Sequence, residues 1–227
     1  SIIVPTLNEA SGIVAHLVAL QALRQRGTEV IVVDGGSTDG TPALAVPWAD
    51  AVVSASRGRA AQMNAGARLA RGTVLLFLHA DTRLPESADL LIAKALADEE
   101  RAWGRFDVAI ETAHSLLHVV AWSMNWRSRL TAIATGDQAM FVRRRAFDWA
   151  GGFPELPLME DIALSRSLKC MGRPLCLGAR AITSGRRWEQ RGVLRTIILM
   201  WCLRAAYWLG TDPGRLAKAY ASVPRAR

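Results

Sequence analysis

Three short runs of aliphatic residues, 1–5 (SIIVP), 29–33 (EVIVV) and 73–78 (TVLLFL), each end in a cluster of polar residues. They are apolar throughout rather than alternating, the pattern of strands covered on both faces. Between them lie segments with helical signals. Residues 9–26 carry Ile13, Leu17, Leu20 and Leu23 at helical spacing and stop at Gly27. Residues 59–71 are rich in alanine and stop at Gly72. A short strand is read at 51–54, and a helix at 85–100 that opens on Pro85, where proline is tolerated. Strands alternating with helices in this rhythm predict an α/β chain with a mostly parallel central sheet flanked by helices.

The second half is less regular. Strands are expected at 103–110 and 138–142, and helices at 115–129, 160–171, 192–209 and 212–221. No repeat or linker interrupts the chain, so one domain is expected over 1–227. Within it, 1–110, 111–190 and a basic helical C-terminus at 191–227 are distinguished. At 51% apolar and 21% charged residues the chain is not of a disordered class. No uncharged apolar run reaches the roughly 18 residues of a spanning helix. Cys170, Cys176 and Cys202 cannot all pair and lack close metal-site spacing, and no leader segment is read, so a reduced, cytoplasmic setting is expected.

The net charge of +8 is unevenly placed. Residues 180–227 hold ten of the 28 basic residues but only two of the 20 acidic ones, Glu189 and Asp212, so charges cancel elsewhere. The basic tail points to an anionic partner: phosphate, acidic lipid or nucleic acid.

Ligands of open α/β sheets bind beyond the carboxyl ends of the strands, and polar residues stand at those points. Asp34, in VVDGGSTDGT, can accept hydrogen bonds from a ribose or a base edge, or it can cap its own turn, as Asp39 can. Arg57 and Arg59 precede a helix, where a guanidinium and helix N-terminus suit phosphate; the plain alternative is solvated charge. Asp81, in HADT, is the candidate metal anchor, since cations that hold phosphates often use one or two protein carboxylates; an N-cap or Asx turn is the alternative. His79 would touch ribose or metal, or simply pack in its strand. Further on, Glu160 and Asp161 open a helix. Asp161 is the candidate general base, against the common reading of helix-start acids facing the dipole. Asp137 would line an acceptor pocket or sit in an ordinary turn. Arg187 and Trp188, in SGRRWE, suit a diphosphate clamp with a stacking platform, or a surface loop.

Taken in order, SIIVPTLNEA, VIVVDGGSTDGT, RGRAAQMNAGARLARG, LLFLHADT, GDQAMFVRRRAFDWAGGFPE and MEDIALSRSLKCMG resemble the family 2 glycosyltransferases with the GT-A nucleotide-diphospho-sugar transferase fold. The HADT, GDQ, PLMED and SGRRWE forms look most like a bacterial subgroup often labelled arsenosugar-biosynthesis glycosyltransferases. The resemblance covers about residues 1–175. It implies transfer of a sugar, with inversion, from a nucleotide-diphosphate sugar to an acceptor hydroxyl, assisted by Mn2+ or Mg2+. It implies that Pro5, Glu9 and Asp34 bind the nucleoside, that Arg59 sits near base or phosphate, and that Asp81 holds the metal. Asp161 matches the catalytic base of the family's Glu-Asp pair. His79 stands where the family more often has Asp. Arg187 and Trp188 loosely match the Arg-Trp motif of processive members.

Two other readings compete. A sugar-phosphate nucleotidyltransferase would need a glycine-rich strand-one loop with Arg and Lys, which PTLNEA does not offer. A non-catalytic module would use the basic, Trp-containing tail to hold nucleic acid or lipid, yet Trp201, Tyr207 and Trp208 lie in an apolar helix, so nucleic acid is not expected as a partner. Peripheral contact of the last helices with an anionic membrane is the further expectation, against burial of that helix on the domain.

Overall fold

The computed structural model describes residues 1–221, apart from the side chains of Arg187, Arg191 and Ala221. The first half contains β1 (Ile2–Thr6), α1 (Ile13–Val18), α2 (Gln21–Gln25), β2 (Val30–Asp34), α3 (Thr41–Ala45), β3 (Ala51–Ser54), α4 (Arg59–Leu69), β4 (Val74–Phe77), β5 (Thr82–Arg83) and α5 (Ala88–Ala95). There follow β6 (Trp103–Glu111), α6 (Ser115–Thr131), β7 (Phe141–Arg143), α7 (Arg144–Trp149), α8 (Glu160–Leu168), β8 (Leu175–Ser184), α9 (Arg186–Arg191), α10 (Val193–Trp208) and α11 (Pro213–Ala221).

Eight strands form one sheet in the order β3-β2-β1-β4-β7-β6-β8-β5. The first four pair in parallel, as their apolar runs predict. β7 is antiparallel to β4 and β6, β6 is parallel to β8, and β5 is antiparallel to β8. Successive side chains of β1 enter opposite cores. Ile2 and Val4 pack with Ile13, Leu17, Leu20 and Leu23, whereas Ile3 packs with Ala60, Met63 and Ala67. Each such burial is worth roughly 1.5–3 kcal/mol, so a one-residue slip is excluded. α4 lies close on the sheet because Gly66 permits it: a Cβ there would meet Ile3 Cγ2 at 2.5 Å.

Several elements depart from expectation, among them the short α3, β5 and α7, which were not foreseen. The predicted helix over 9–26 is two short helices. At their junction the Leu17 carbonyl accepts from Leu20 N and from Gln21 Nε2, while Leu20 and Leu23 both still reach the core. The strand β8 is unforeseen because LCLGARAITS, with Gly178 and Arg180, buries only part of one face. Its pairing with the continuous β6, through a register shift at Phe106/Asp107, compensates. Residues 184–189, for which a surface loop was one of two readings, lead into the helix α9. α6 is tied to β6 by a buried polar network. Arg105, fully buried, donates to Ser128 Oγ and Asp107, and Arg129 grips both Asp107 oxygens at 2.7 Å. Burial pushes the Asp107 carboxyl up, but the two arginines outweigh it and hold its pKa below the usual range.

Candidate active site

Two cavities open where the strands end, and they share a wall made by Arg59, His79 and Asp81. The first, about 320 Å³, is floored by Pro5, Thr6, Leu7 and Glu9 after β1 and flanked by Arg57 and Gly58 before α4. The second, about 100 Å³, lies across the wall and is lined by Gly136, Asp137, Asp161, Trp188, Arg204 and others.

The floor of the first cavity is built by mutual hydrogen bonding of two strand-end loops. Asn8, in a left-handed conformation (φ 55°), accepts from Thr38 N at 2.9 Å and receives Ser37 Oγ at its own N–H. Glu9 N donates to Thr41 Oγ1 and Ala10 N to Asp39 Oδ2, both at 2.9 Å. Asp39 is a cap of these turns; the Thr41 hydroxyl and the Ala10 amide hold its carboxyl below the usual range. Asp34 is also turned inward. It is buried, accepts from Gly36 N, Ser37 N and Ser37 Oγ, and lies outside the linings of both cavities. Of Asp34, Asp81 and Asp161, only the last two line a common cavity. Gln62 was not singled out from sequence. It is buried and donates to the carbonyls of Thr6 and Val33 at 2.8 Å each, locking α4 to the ends of β1 and β2. Nothing marked it except its place one turn into α4.

Beyond β4 the chain turns at His79–Asp81 and pairs through β5 with the end of β8, where Ser184 N donates to the Asp81 carbonyl at 3.1 Å. This return carries Asp81 into both cavities. His79 Nδ1 stands 3.4 Å from Asp137 Oδ1. Gly136 makes that approach possible, since a Cβ there would lie 2.3 Å from His79 Cε1. The Asp161 carboxylate accepts from Gly136 N at 2.9 Å and from Ile162 N at 2.7 Å, so it is oriented by the loop carrying Asp137 and by its own helix.

Glu160 and Asp161 diverge, as adjacent residues at a helix start must. Glu160 is buried and pairs with Arg59 Nε at 2.8 Å, while its Oε2 is buried without a partner. Burial, reinforced by Asp161, raises the Glu160 pKa against the pull of Arg59. Met159, held at φ 70°, sets the sharp entry into α8 that aims the pair. Trp188 lines the second cavity, while the Arg187 side chain lies outside the described residues. Two further arginines were missed as site residues: Arg204, in an apolar stretch of α10, and Arg127, on α6. Burial, opposed by Asp161 and Asp137, lowers the Arg204 pKa. Burial and Arg204 push Arg127 down to about 10, against the pull of Asp161.

Among the described residues no three His, Cys, Asp or Glu side chains gather as a ready-made metal cluster. Asp81, opening onto both cavities with His79 and Asp137 beside it, instead fits a cation held largely by a ligand's own oxygens.

A strand-end site on a mostly parallel sheet is where open α/β folds bind their ligands, and comparison with known proteins shows which family this one serves. The chain belongs to glycosyl transferase family 2, whose model matches residues 1–151. A "PGL/p-HBAD biosynthesis glycosyltransferase" of Mycobacterium bovis is 38% identical over 106 residues, covering 44% of this chain and 41% of that protein. The chain thus spans about two fifths of the length of the curated relatives it matches. In fold it is similar to S. aureus TarS in complex with UDP, with a TM-score of 0.66 and 21% identity over 81% of this chain and 59% of that one. A mannosyltransferase from Pyrobaculum calidifontis, in complex with GDP-Man and Mn2+, aligns at 0.63 and 24% identity over 90% of this chain and 60% of that one. A glucosyl-3-phosphoglycerate synthase from Mycobacterium tuberculosis, in complex with Mn2+ and UDP, aligns at 0.60 and 16% identity over 79% and 69%.

Proposed function

We propose that the chain is an inverting glycosyltransferase that moves a sugar from a nucleotide-diphosphate sugar to an acceptor hydroxyl. The observation that carries this reading is the shared wall. Arg59, His79 and Asp81 face both cavities, whereas Asp161 faces only the second. A donor lying in the first cavity, with Pro5 and Glu9 at its nucleoside end, would bring its diphosphate to the wall and its sugar to the far side. Asp34 would act by shaping the loop that floors the donor rather than by touching it.

Asp81 would hold Mn2+ or Mg2+ together with the diphosphate, with His79 and Asp137 near it. When bound, the cation supplies positive charge that offsets the charge developing on the departing diphosphate. Arg59, at the N-terminus of α4, adds a guanidinium and the helix's amide dipoles on the same side. On the acceptor side, Asp161 takes the hydroxyl proton as the acceptor oxygen bonds to the anomeric carbon. The bond from that carbon to the diphosphate oxygen breaks, its electron pair leaves with the nucleoside diphosphate, and the configuration inverts. Gly136 N and Ile162 N fix the carboxylate for this task. Glu160 does not compete for it, being buried against Arg59, which it holds in the wall.

No described helix is long and apolar enough to cross a membrane. The test is a thermal-shift panel of nucleoside diphosphates and their sugars with Mn2+ or Mg2+. Stabilisation by a nucleoside diphosphate that requires the cation is expected; a flat response to the whole panel contradicts the reading.

A further inference from the structure

A third cavity, about 360 Å³, adjoins the second and lies between α6 and α10. Its walls are largely apolar: Val120 and Met124 from α6, Ile197, Met200 and Trp201 from α10, and Trp188 from α9. It shares Asp137, Trp188, Met200 and Arg204 with the second cavity, so the two lie side by side. Two cations stand at the junction. Arg127 lines the apolar cavity and Arg204 lines both, and the buried Nε and Nη2 of Arg127 and Nε of Arg204 have no hydrogen-bond partner. An unpartnered buried donor costs about 1–3 kcal/mol, and more when charged. Arg105 differs: all three of its nitrogens are bonded, to Ser128, Asp107 and Asn125, and Arg129 beside it holds both oxygens of Asp107.

The outer rims of the same helices are also unusual. Val119, Trp122, Trp126 and Leu130 form one exposed apolar stripe along α6, and Leu194, Ile198, Trp201 and Trp208 another along α10. Val119 and Trp201 belong both to these stripes and to the cavity wall, so the cavity opens onto an apolar surface rather than a polar one. Arg195, Arg215 and Lys218 are exposed on α10 and α11. Contiguous exposed apolar surface of this kind marks an interaction site.

We propose that this cavity takes the hydrocarbon part of the acceptor, and that the acceptor is an anionic amphiphile. Its negative group is received by Arg127 and Arg204, its reacting hydroxyl lies at Asp161, and its chain runs between α6 and α10 to the tryptophan-lined mouth. This assignment rests on the glycosyltransferase reading and names the acceptor class for it. Charge complementarity selects the occupant. A neutral chain would leave the three guanidinium nitrogens without a hydrogen-bond partner, Asp137 and Asp161 attracting them only through space, and a free inorganic anion would leave the wall empty.

The test uses the full chain and three probes below their micelle concentrations, followed by tryptophan fluorescence: decyl phosphate, butyl phosphate and decyl glucoside. Decyl phosphate is expected to bind at least tenfold more tightly than either of the others. Arg127→Met combined with Arg204→Met should lower that affinity at least tenfold while raising the melting temperature of the unliganded protein, because three buried donors without hydrogen-bond partners are removed. Ile197→Glu should weaken decyl phosphate and leave butyl phosphate unchanged. Equal binding of decyl phosphate and decyl glucoside, or an affinity unmoved by the double variant, overturns the proposal. So does a lowered melting temperature of the double variant, which would make the arginines structural, or a stable dimer that binds no probe. Failure of decyl phosphate with intact cation-dependent nucleotide binding sinks only the acceptor class; failure of nucleotide binding sinks the parent reading as well.

Discussion

The two sides of the Arg59–His79–Asp81 wall are built on opposite plans. On the β1–β2 side, nearly every polar group of the loops has a partner within the protein: Asn8 with Ser37 and Thr38, Glu9 N with Thr41, Asp34 with its own turn, Gln62 with two carbonyls. That side is finished before any ligand arrives. On the α6–α10 side, three buried guanidinium nitrogens of Arg127 and Arg204 have no hydrogen-bond partner and two rows of large apolar side chains face outward. That side is completed only by something else. Under the proposed function, a preformed nucleotide site with an acceptor site assembled from less satisfied surface would place rigidity where a common donor chemistry needs it. It leaves the other side to be shaped by the acceptor.

The largest test of this contrast is at Asp161. Asp161→Asn keeps size and can still accept from Gly136 N, so donor binding should persist while transfer falls by about 10²–10⁴-fold, the usual span for a lost general base. Single-turnover transfer compared with nucleotide affinity measures it; unchanged transfer removes Asp161 from the mechanism.

A second test concerns pH. His16, on α1 in the core of the donor half, is buried, and burial lowers its pKa to about 4, against the pull of Asp81. Its unfolded value is 6.5. The unfolded chain therefore binds a proton that the folded one refuses, and stability falls as pH drops from about 6.5 toward 4. The contribution is on the order of 3 kcal/mol. Urea unfolding at pH 7 and pH 4.5 should show the loss, and His16→Leu should flatten the slope; an equal slope in that variant would contradict the assignment.

Smaller effects sharpen the claim that the donor side is prebuilt. Gly66→Ala should cost roughly 1–3 kcal/mol by pressing on Ile3. Gln62→Ala should cost about 1–3 kcal/mol and weaken nucleotide binding with it, because the Thr6 and Val33 carbonyls lose their shared donor. Denaturant midpoints read both. At the low end, Asp50→Asn breaks the Arg24–Asp50 pair on the exposed edge and should change stability by no more than about 1 kcal/mol.

The donor half was readable because its strands are continuous aliphatic runs whose ends coincide with polar clusters. Asp81 and Arg59 could be placed in a cleft from Leu75–Leu78 and the Ala-rich α4 alone. Asp34 shows the limit of that logic. A strand-end carboxylate is placed correctly by sequence, but whether it faces the cavity or its own turn depends on Gly36 and Ser37 offering it amides. The acceptor half was harder to read. β8 hides because half of its face is polar, and α9 because SGRRWE has no apolar period. Arg127 and Arg204 escaped notice since a lone arginine in a helix normally reaches solvent. Only the packing of α6 on α10 closes over them.

The most direct measurement is calorimetric titration of nucleoside diphosphates, with and without Mn2+, into the wild type, Asp81→Ala and Asp161→Asn proteins. The account predicts cation-dependent binding in the wild type, its loss in Asp81→Ala and its retention in Asp161→Asn. Equal affinity with and without Mn2+, or loss of binding in the Asp161 variant alone, would contradict it.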